Sequence, residues 1–141
     1  MNGNACKFDV GLVNGRPAPK KSRQLILGVL ELDDDGENIM VATESRFNHL
    51  ASCRRGDVVL LQDGEGFRAG QIQLHFDIAD MPLSLVQTFT LHRRDRDTAL
   101  AVWRVNDGVH ECFETKHILA AVEYCVYPNG HVGTLLPIEY T

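Results

Sequence analysis

The sequence lacks the closely spaced cysteine pairs that compact zinc sites use. It has four cysteines, which are Cys6, Cys53, Cys112 and Cys125. Even the closest two are 13 positions apart, whereas zinc ligands usually come in pairs on one turn. The nearest approach is the segment HECFETKH, where His110, Cys112 and His117 have loose spacing and no evident fourth ligand. We therefore expect no metal and no cofactor.

Export, membrane and polyanion-binding features are also missing. No apolar run approaches the roughly 20 residues of a membrane span, and MNGNACKFDV has no charged and apolar signal regions. We therefore expect an intracellular protein, cytoplasmic or nuclear, with no membrane partner. The net charge of −5 and a pI near 5.6 argue against nucleic acid as a partner.

Local catalytic motifs are absent. The chain has no G-x-S-x-G, H-E-x-x-H, Walker A or G-x-G-x-x-G pattern. A small Cys/His-dependent or metal-assisted enzyme remains an alternative, because Cys53 or Cys112 could meet one of six histidines in space. A nucleic-acid-associated accessory domain that uses the basic residues in 20–23 and 93–96 is the other alternative. Asp77 and Asp80 are interpreted as a strand-face acid and a turn acid.

What the chain does have is enough apolar residues for one core. Its 141 residues are 44% hydrophobic and 23% charged, which suits a single globular domain. Glycine, proline and basic residues are frequent near the start, so residues 1–22 are predicted to be a flexible lead-in. Residues 23–141 are predicted to form a single β-rich domain.

Alternation of apolar and polar residues predicts antiparallel strands. Ile72, Leu74, Phe76 and Ile78 alternate with polar residues, which is typical of a half-buried strand. Further short strands are separated by turn signals, among them Asn106-Asp107-Gly108, at steps of about 10 residues. The apolar runs of residues 25–42 predict a hairpin, and Thr43 is expected to cap a short helix. The expected fold is mostly β, a small antiparallel barrel with one or two short helices.

Aromatic residues make up only 7% of the chain. Trp103 lies in a strand that is apolar on both faces, which favours a place in the core. Aromatic rings at a barrel rim can also hold a methylated lysine or a proline segment. The candidate partner-binding residues are Trp103, Phe113, Tyr124 and Tyr127.

The order of segments between residues 56 and 137 resembles a known module. GDVVLLQ, FRAGQIQLHF, SLVQTF and ALAVWRV precede ECFETKHILAAVEYCVY. This order, with Ile118 leading into a strand at Cys125 and Val126, is similar to BAH-type and related SH3-like β-barrel modules. The resemblance implies an SH3-like barrel that recognises proteins, often histone tails or nucleosomes. The chain departs from that pattern in its acidic charge and its lack of a clear aromatic cluster.

These observations predict a non-catalytic interaction module that binds a peptide or partner protein. It would be chromatin-associated or an accessory domain of a larger protein, and would bind through a strand edge or an aromatic rim. The oligomeric state is left open.

Overall fold

Strands dominate the structure, as the sequence predicts. The computed structural model describes residues 10–141, and strands account for 57% of them. The described residues contain one α-helix, α1, and two short 3-10 turns at Thr115–His117 and Ile138–Tyr140. In chain order, the strands and the helix are β1 (Gly11–Val13), β2 (Arg16–Pro17), α1 (Lys20–Leu30), β3 (Ile39–Ala42), β4 (Glu44–Arg46), β5 (Ser52–Arg54), β6 (Val58–Asp63), β7 (Gly66–Ile78), β8 (Met81–Arg94), β9 (Leu100–Glu114), β10 (Ile118–Val122), β11 (Tyr124–Val126) and β12 (Val132–Leu135).

The main sheet is a curled, antiparallel half-barrel. Its nine strands include the path β10-β6-β7-β8-β9-β12-β11, while β3 joins the far end of β7 and β2 pairs with β3. The strands at the two ends of this path, β10 and β11, are separated in the chain only by Glu123. The sheet therefore curls until its ends are formed by consecutive segments. A second, three-stranded sheet has the order β1-β4-β5.

Register shifts change which face the side chains occupy. Ile72 pairs with Val86 but Leu74 pairs with Leu85, so the ladder skips one residue at Gln73. A β-bulge of this kind breaks the alternation. Ile72 consequently packs in a different apolar cluster from the one that contains Phe76. Both residues are fully buried, as the alternation predicts.

Three apolar clusters form the core. The first fills the half-barrel and consists of Val58, Leu60, Ala69, Phe89, Ala101, Trp103, Val132 and Leu136. The second lies beneath α1 and consists of Ile26, Leu27, Ile39, Val41, Phe76, Leu83 and Leu85. The third joins β4 and β5 to the main sheet and consists of Phe47, Cys53, Val59, Leu61, Ile72, Val86 and Ile118.

The predicted hairpin of residues 25–42 is wrong. Its first run lies in α1, whose Ile26 and Leu27 are buried in the second cluster. In so short a run, a buried helix and a buried strand both need the same apolar residues. Periodicity therefore cannot distinguish a helix from a strand here. The second run is β3, which pairs with β2 and β7, and neither of these strands contains the first run.

Two further local predictions are also wrong. The expected helix after Thr43 is absent, because the chain there forms β4 and β5, which pair with each other. The expected turn at residues 106–108 lies inside β9. Gln87 pairs with His110 and Phe89 pairs with Val105, so residues 106–109 bulge out of the ladder. Gly108 has φ of 75° there, a conformation that glycine adopts without strain.

The predicted lead-in of residues 1–22 falls partly outside the described residues. The described portion, from residue 10, contains β1, β2 and the first residues of α1. The predicted boundary after residue 22 lies within α1. Among residues 10–141, no helix is both long and apolar enough to span a bilayer.

We expect Gly70→Ala to lower the free energy of unfolding by about 1–3 kcal/mol, the usual cost of overpacking. A Cβ at Gly70 would collide with Val86 Cγ1 and would lie 2.8 Å from the Gln87 carbonyl oxygen. Gly66→Ala on the same strand is the matched control, because its Cβ would meet only the Asp63 oxygen at 3.7 Å. Urea unfolding measures both. Equal effects of the two substitutions would show that the close approach of β7 and β8 at Gly70 does not cause the loss of stability.

Candidate functional site

A broad pocket lies where the β7–β8 hairpin meets β1 and β3. We call it the acidic pocket, and its volume is about 850 Å³, within the range of roughly 300–1,000 Å³ typical of ligand sites. Its charged wall consists of Asp77, Asp80, Glu114 and Lys116. Its apolar wall includes Leu12, Met40, Met81 and Pro82.

The tight β7–β8 turn and the β3 pairing together position this pocket. Ile78 pairs with Met81, so Ala79 and Asp80 form a two-residue turn, with φ of 52° and 60°. Two positive φ angles define the turn type that suits the twist of a hairpin. Asp77 pairs with Met40 on β3 and with Pro82 on β8, which brings the apolar and acidic walls together.

Asp77 brings a buried carboxylate oxygen, Oδ1, without a hydrogen-bond partner among the described residues into the pocket wall. Burial raises the pKa of Asp77, and the neighbouring charge of Asp80 raises it further. By contrast, Glu114 has Lys116 Nζ at 3.8 Å and His117 Nε2 at 3.6 Å. A cation placed beside Asp77 would favour the charged carboxylate. It would therefore offset both the cost of desolvation and the repulsion from Asp80.

A chain of buried polar side chains begins at Cys53 of the third cluster. His75 Nε2 lies 3.6 Å from Cys53 Sγ, and its Nδ1 lies 2.7 Å from Ser84 Oγ. Ser84 Oγ lies 2.8 Å from Thr115 Oγ1. All four residues are buried. This chain satisfies polar groups inside the protein, as buried polar groups require.

The Cys53–His75 contact does not resemble an activated nucleophile. Burial raises the pKa of Cys53 to about 12 and lowers the pKa of His75 to about 4. A reactive cysteine needs the opposite shift and access to substrate. Burial likewise raises the pKa of Cys112 to about 11. Within the described chain, no group of three or more His, Cys, Asp or Glu is placed to hold a metal ion, and this includes His110, Cys112 and His117.

Trp103 lies in the core. Its side chain is only 3% exposed, and its Nε1 donates to Thr134 Oγ1 at 2.9 Å. Phe67 meets it edge to face, with ring centroids 6.5 Å apart. The ring therefore fills the half-barrel, as its strand pattern predicts.

The other three candidate aromatics lie in different places. Phe113 packs against the third cluster, 5.9 Å below the Arg68 guanidinium. Tyr124 is 44% exposed, and its hydroxyl donates to the Gly56 carbonyl at 3.4 Å. Tyr127 covers Gly133, where a Cβ would lie 2.8 Å from the tyrosine oxygen. No ring contact joins any two of the four candidates among residues 10–141.

The sequence located two acids of the acidic pocket but not the pocket. Asp77 lies on β7 and Asp80 in the turn, as interpreted from the sequence. Leu12, Met40 and Glu114 were missed, and no local signal marks them, because they come from three distant strands. Protein-family models, curated proteins and solved structures all give no match to this chain.

Proposed function

We propose that this chain is a non-catalytic interaction module that binds a basic side chain of a peptide or partner protein in the acidic pocket. The observation that carries this proposal is the buried Oδ1 of Asp77, which has no hydrogen-bond partner among residues 10–141 and lies in a pocket of about 850 Å³. We infer that the half-barrel is of the SH3-like or BAH type, on the sequence resemblance. The expected association with chromatin or a larger protein rests on that same resemblance, and the expected place inside the cell rests on the absence of an export signal from the sequence.

The composition of the pocket suits lysine or arginine. Such side chains bury an aliphatic stem on apolar surface and keep a charged tip in contact with polar groups. Met40 and Met81 supply adaptable apolar wall, while Asp77 and Asp80 supply the charge. Glu114 contributes less, because Lys116 and His117 already lie beside it.

The non-catalytic part of the proposal is supported by the state of the cysteines. The Cys53 thiol, although it lies near His75, is sequestered in the core and its pKa is raised. Among the described residues that line it, the acidic pocket offers carboxylates but no nucleophile paired with a base. Binding is therefore the chemistry that the pocket supports best.

The test uses two blocked pentapeptides that differ only at the central residue, arginine in one and glutamine in the other. NMR titration should show saturable shifts of the Asp77, Asp80 and Met40 amides with the arginine peptide only. Asp77→Asn should weaken this binding by about 10–100-fold, since hydrogen bonds to charged groups contribute about 1.5–3 kcal/mol. Because Asp77 Oδ1 accepts no hydrogen bond from the described residues, the same substitution should not lower the free energy of unfolding.

Asp97→Asn is the matched control. It removes the same charge from the loop between β8 and β9, and Asp97 does not line the pocket. It should leave the peptide affinity close to that of the unmodified protein. Equal weakening by the two substitutions would mean that only the net charge attracts the peptide, and would overturn the proposed site.

A further inference from the structure

A second cleft, which we call the imidazole cleft, lies at the opposite end of β8. Its volume is about 550 Å³. His92, Arg93 and Val102 line one side, and Tyr127, Asn129 and His131 line the other. The rings of His92 and His131 are 4.8 Å apart at their centroids. No carboxylate lines this cleft among the described residues, although the chain has a net charge of −5.

A β-bulge places His92 and Arg93 in this cleft. Leu91 pairs with Trp103 and Arg93 pairs with Val102, so His92 is an extra residue in the ladder. A bulge redirects the side chains next to it. Arg93 consequently shares a face with Val102, and its guanidinium has no ion pair within the described part of the chain.

Asn129 determines which nitrogen of His131 carries the proton. The His131 backbone N–H donates to Asn129 Oδ1 at 3.0 Å, so the amide nitrogen is the atom that faces the ring. Asn129 Nδ2 lies 3.3 Å from His131 Nδ1. Since the amide nitrogen can only donate, Nδ1 accepts and the neutral ring carries its proton on Nε2. His131 therefore offers a donor at Nε2.

Tyr127 is held in place beside these donors. Its ring lies on Gly133, where any side chain would collide with it. Its backbone N–H donates to the His131 carbonyl at 2.8 Å, which closes the turn between β11 and β12. The cleft thus combines a guanidinium that has no ion pair with any described residue, an imidazole donor at His131 Nε2 and a fixed aromatic ring.

We propose that the imidazole cleft binds the phosphate group of a small phosphate ester. Phosphate accepts several hydrogen bonds at once and pairs well with a guanidinium. The tyrosine and imidazole rings offer flat surface to the organic part of the ester. Two imidazoles alone make a poor metal site, and Nδ1 of His131 is already occupied by Asn129. This site is independent of the acidic pocket.

The experiment titrates the protein with inorganic phosphate and, separately, with phenyl phosphate, and follows the His92 and His131 ring resonances by NMR. Both probes should give saturable shifts, with phenyl phosphate binding more tightly. Equal affinities would identify free phosphate as the ligand instead of an ester. Arg93→Gln should weaken the binding of either probe at least tenfold.

Arg96→Gln is the matched control, because it removes the same charge nearby from a residue that does not line the cleft. It should leave the affinities nearly unchanged. Equal losses from the two substitutions, or no saturable shift at millimolar phosphate, would overturn the proposal. Shifts with zinc ions alone and none with phosphate would also overturn it, in favour of a metal site. None of these outcomes bears on the peptide test at Asp77.

Discussion

Trp103→Ala is expected to lower the free energy of unfolding by about 3–5 kcal/mol, the usual cost of truncating a buried tryptophan. Trp103 is 3% exposed and belongs to the first cluster, together with apolar residues of β6, β7 and β12. Truncation would leave a cavity in the half-barrel and would remove the donor to Thr134 Oγ1, which is itself buried. Because whole domains are stable by only about 5–15 kcal/mol, much of the population could unfold. Urea denaturation measures the loss.

Two variants make this result interpretable. Trp103→Phe keeps most of the ring and loses the hydrogen bond, so it should cost about 1–3 kcal/mol. Tyr124→Ala alters an exposed aromatic of the same sheet and should change stability little. A Trp103→Ala protein as stable as the Tyr124→Ala protein, but defective in partner binding, would place Trp103 in a binding rim and contradict its assignment to the core.

Acid is expected to destabilise the fold through His75. In the folded state burial lowers its pKa from 6.5 to about 4, against the opposing influence of Cys53, Asp57 and Glu44. Above pH 6.5 the ring is neutral in both states, so it imposes no penalty. Between pH 6.5 and pH 4, His75 binds a proton in the unfolded chain but stays neutral in the folded protein. The fold therefore loses stability as the pH falls, by about 3 kcal/mol once both pKa values have been passed.

His75→Gln should remove this pH dependence, although it also disturbs the buried hydrogen bonds to Ser84 and Cys53. The informative measurement is the slope of unfolding free energy against pH between 6.5 and 5, above the range where most carboxylates titrate. His49→Gln, which changes an exposed histidine, should keep the slope of the unmodified protein. An unchanged slope in the His75→Gln protein would show that His75 is not the group responsible.

The predictable part of the fold follows from alternation along the strands. Ile72 and Phe76 are predicted to be inside and are fully buried. They pack in different apolar clusters, because the ladder skips a residue at Gln73. Alternation reports whether a side chain is buried. It does not reveal where a strand is interrupted, since the bulge depends on how β7 aligns with β8.

The helix α1 shows the same limit in another form. Its apolar residues Ile26 and Leu27 are buried, as any interpretation of that run requires. Whether they are buried from a helix or a strand depends on the surface that receives them. Here that surface is the sheet formed by β3, β7 and β8, through Ile39, Phe76 and Leu85. Tertiary packing therefore overrides the local pattern.

The candidate sites depend on still longer-range pairing. Asp77 and Asp80 are visible in the sequence, but Met40 reaches them only because β3 pairs with β7. His92 and His131 meet only because β12 lies beside β9 and β8 carries a bulge. Nothing in the spacing of these residues along the chain indicates either meeting.

By itself the sequence determined a mostly β, antiparallel fold, a buried Trp103 and a pair of acids at the β7–β8 turn. These properties depend on alternation, composition and turn chemistry, which can be recognised from the sequence without knowing how distant segments pack. The tertiary structure alone decided the helix at 20–30, the register shifts, the sequestered Cys53–His75 contact and the two clefts. Each of these depends on contacts between segments that are distant in the sequence. The favourable free energy of those contacts is gained only when the half-barrel assembles.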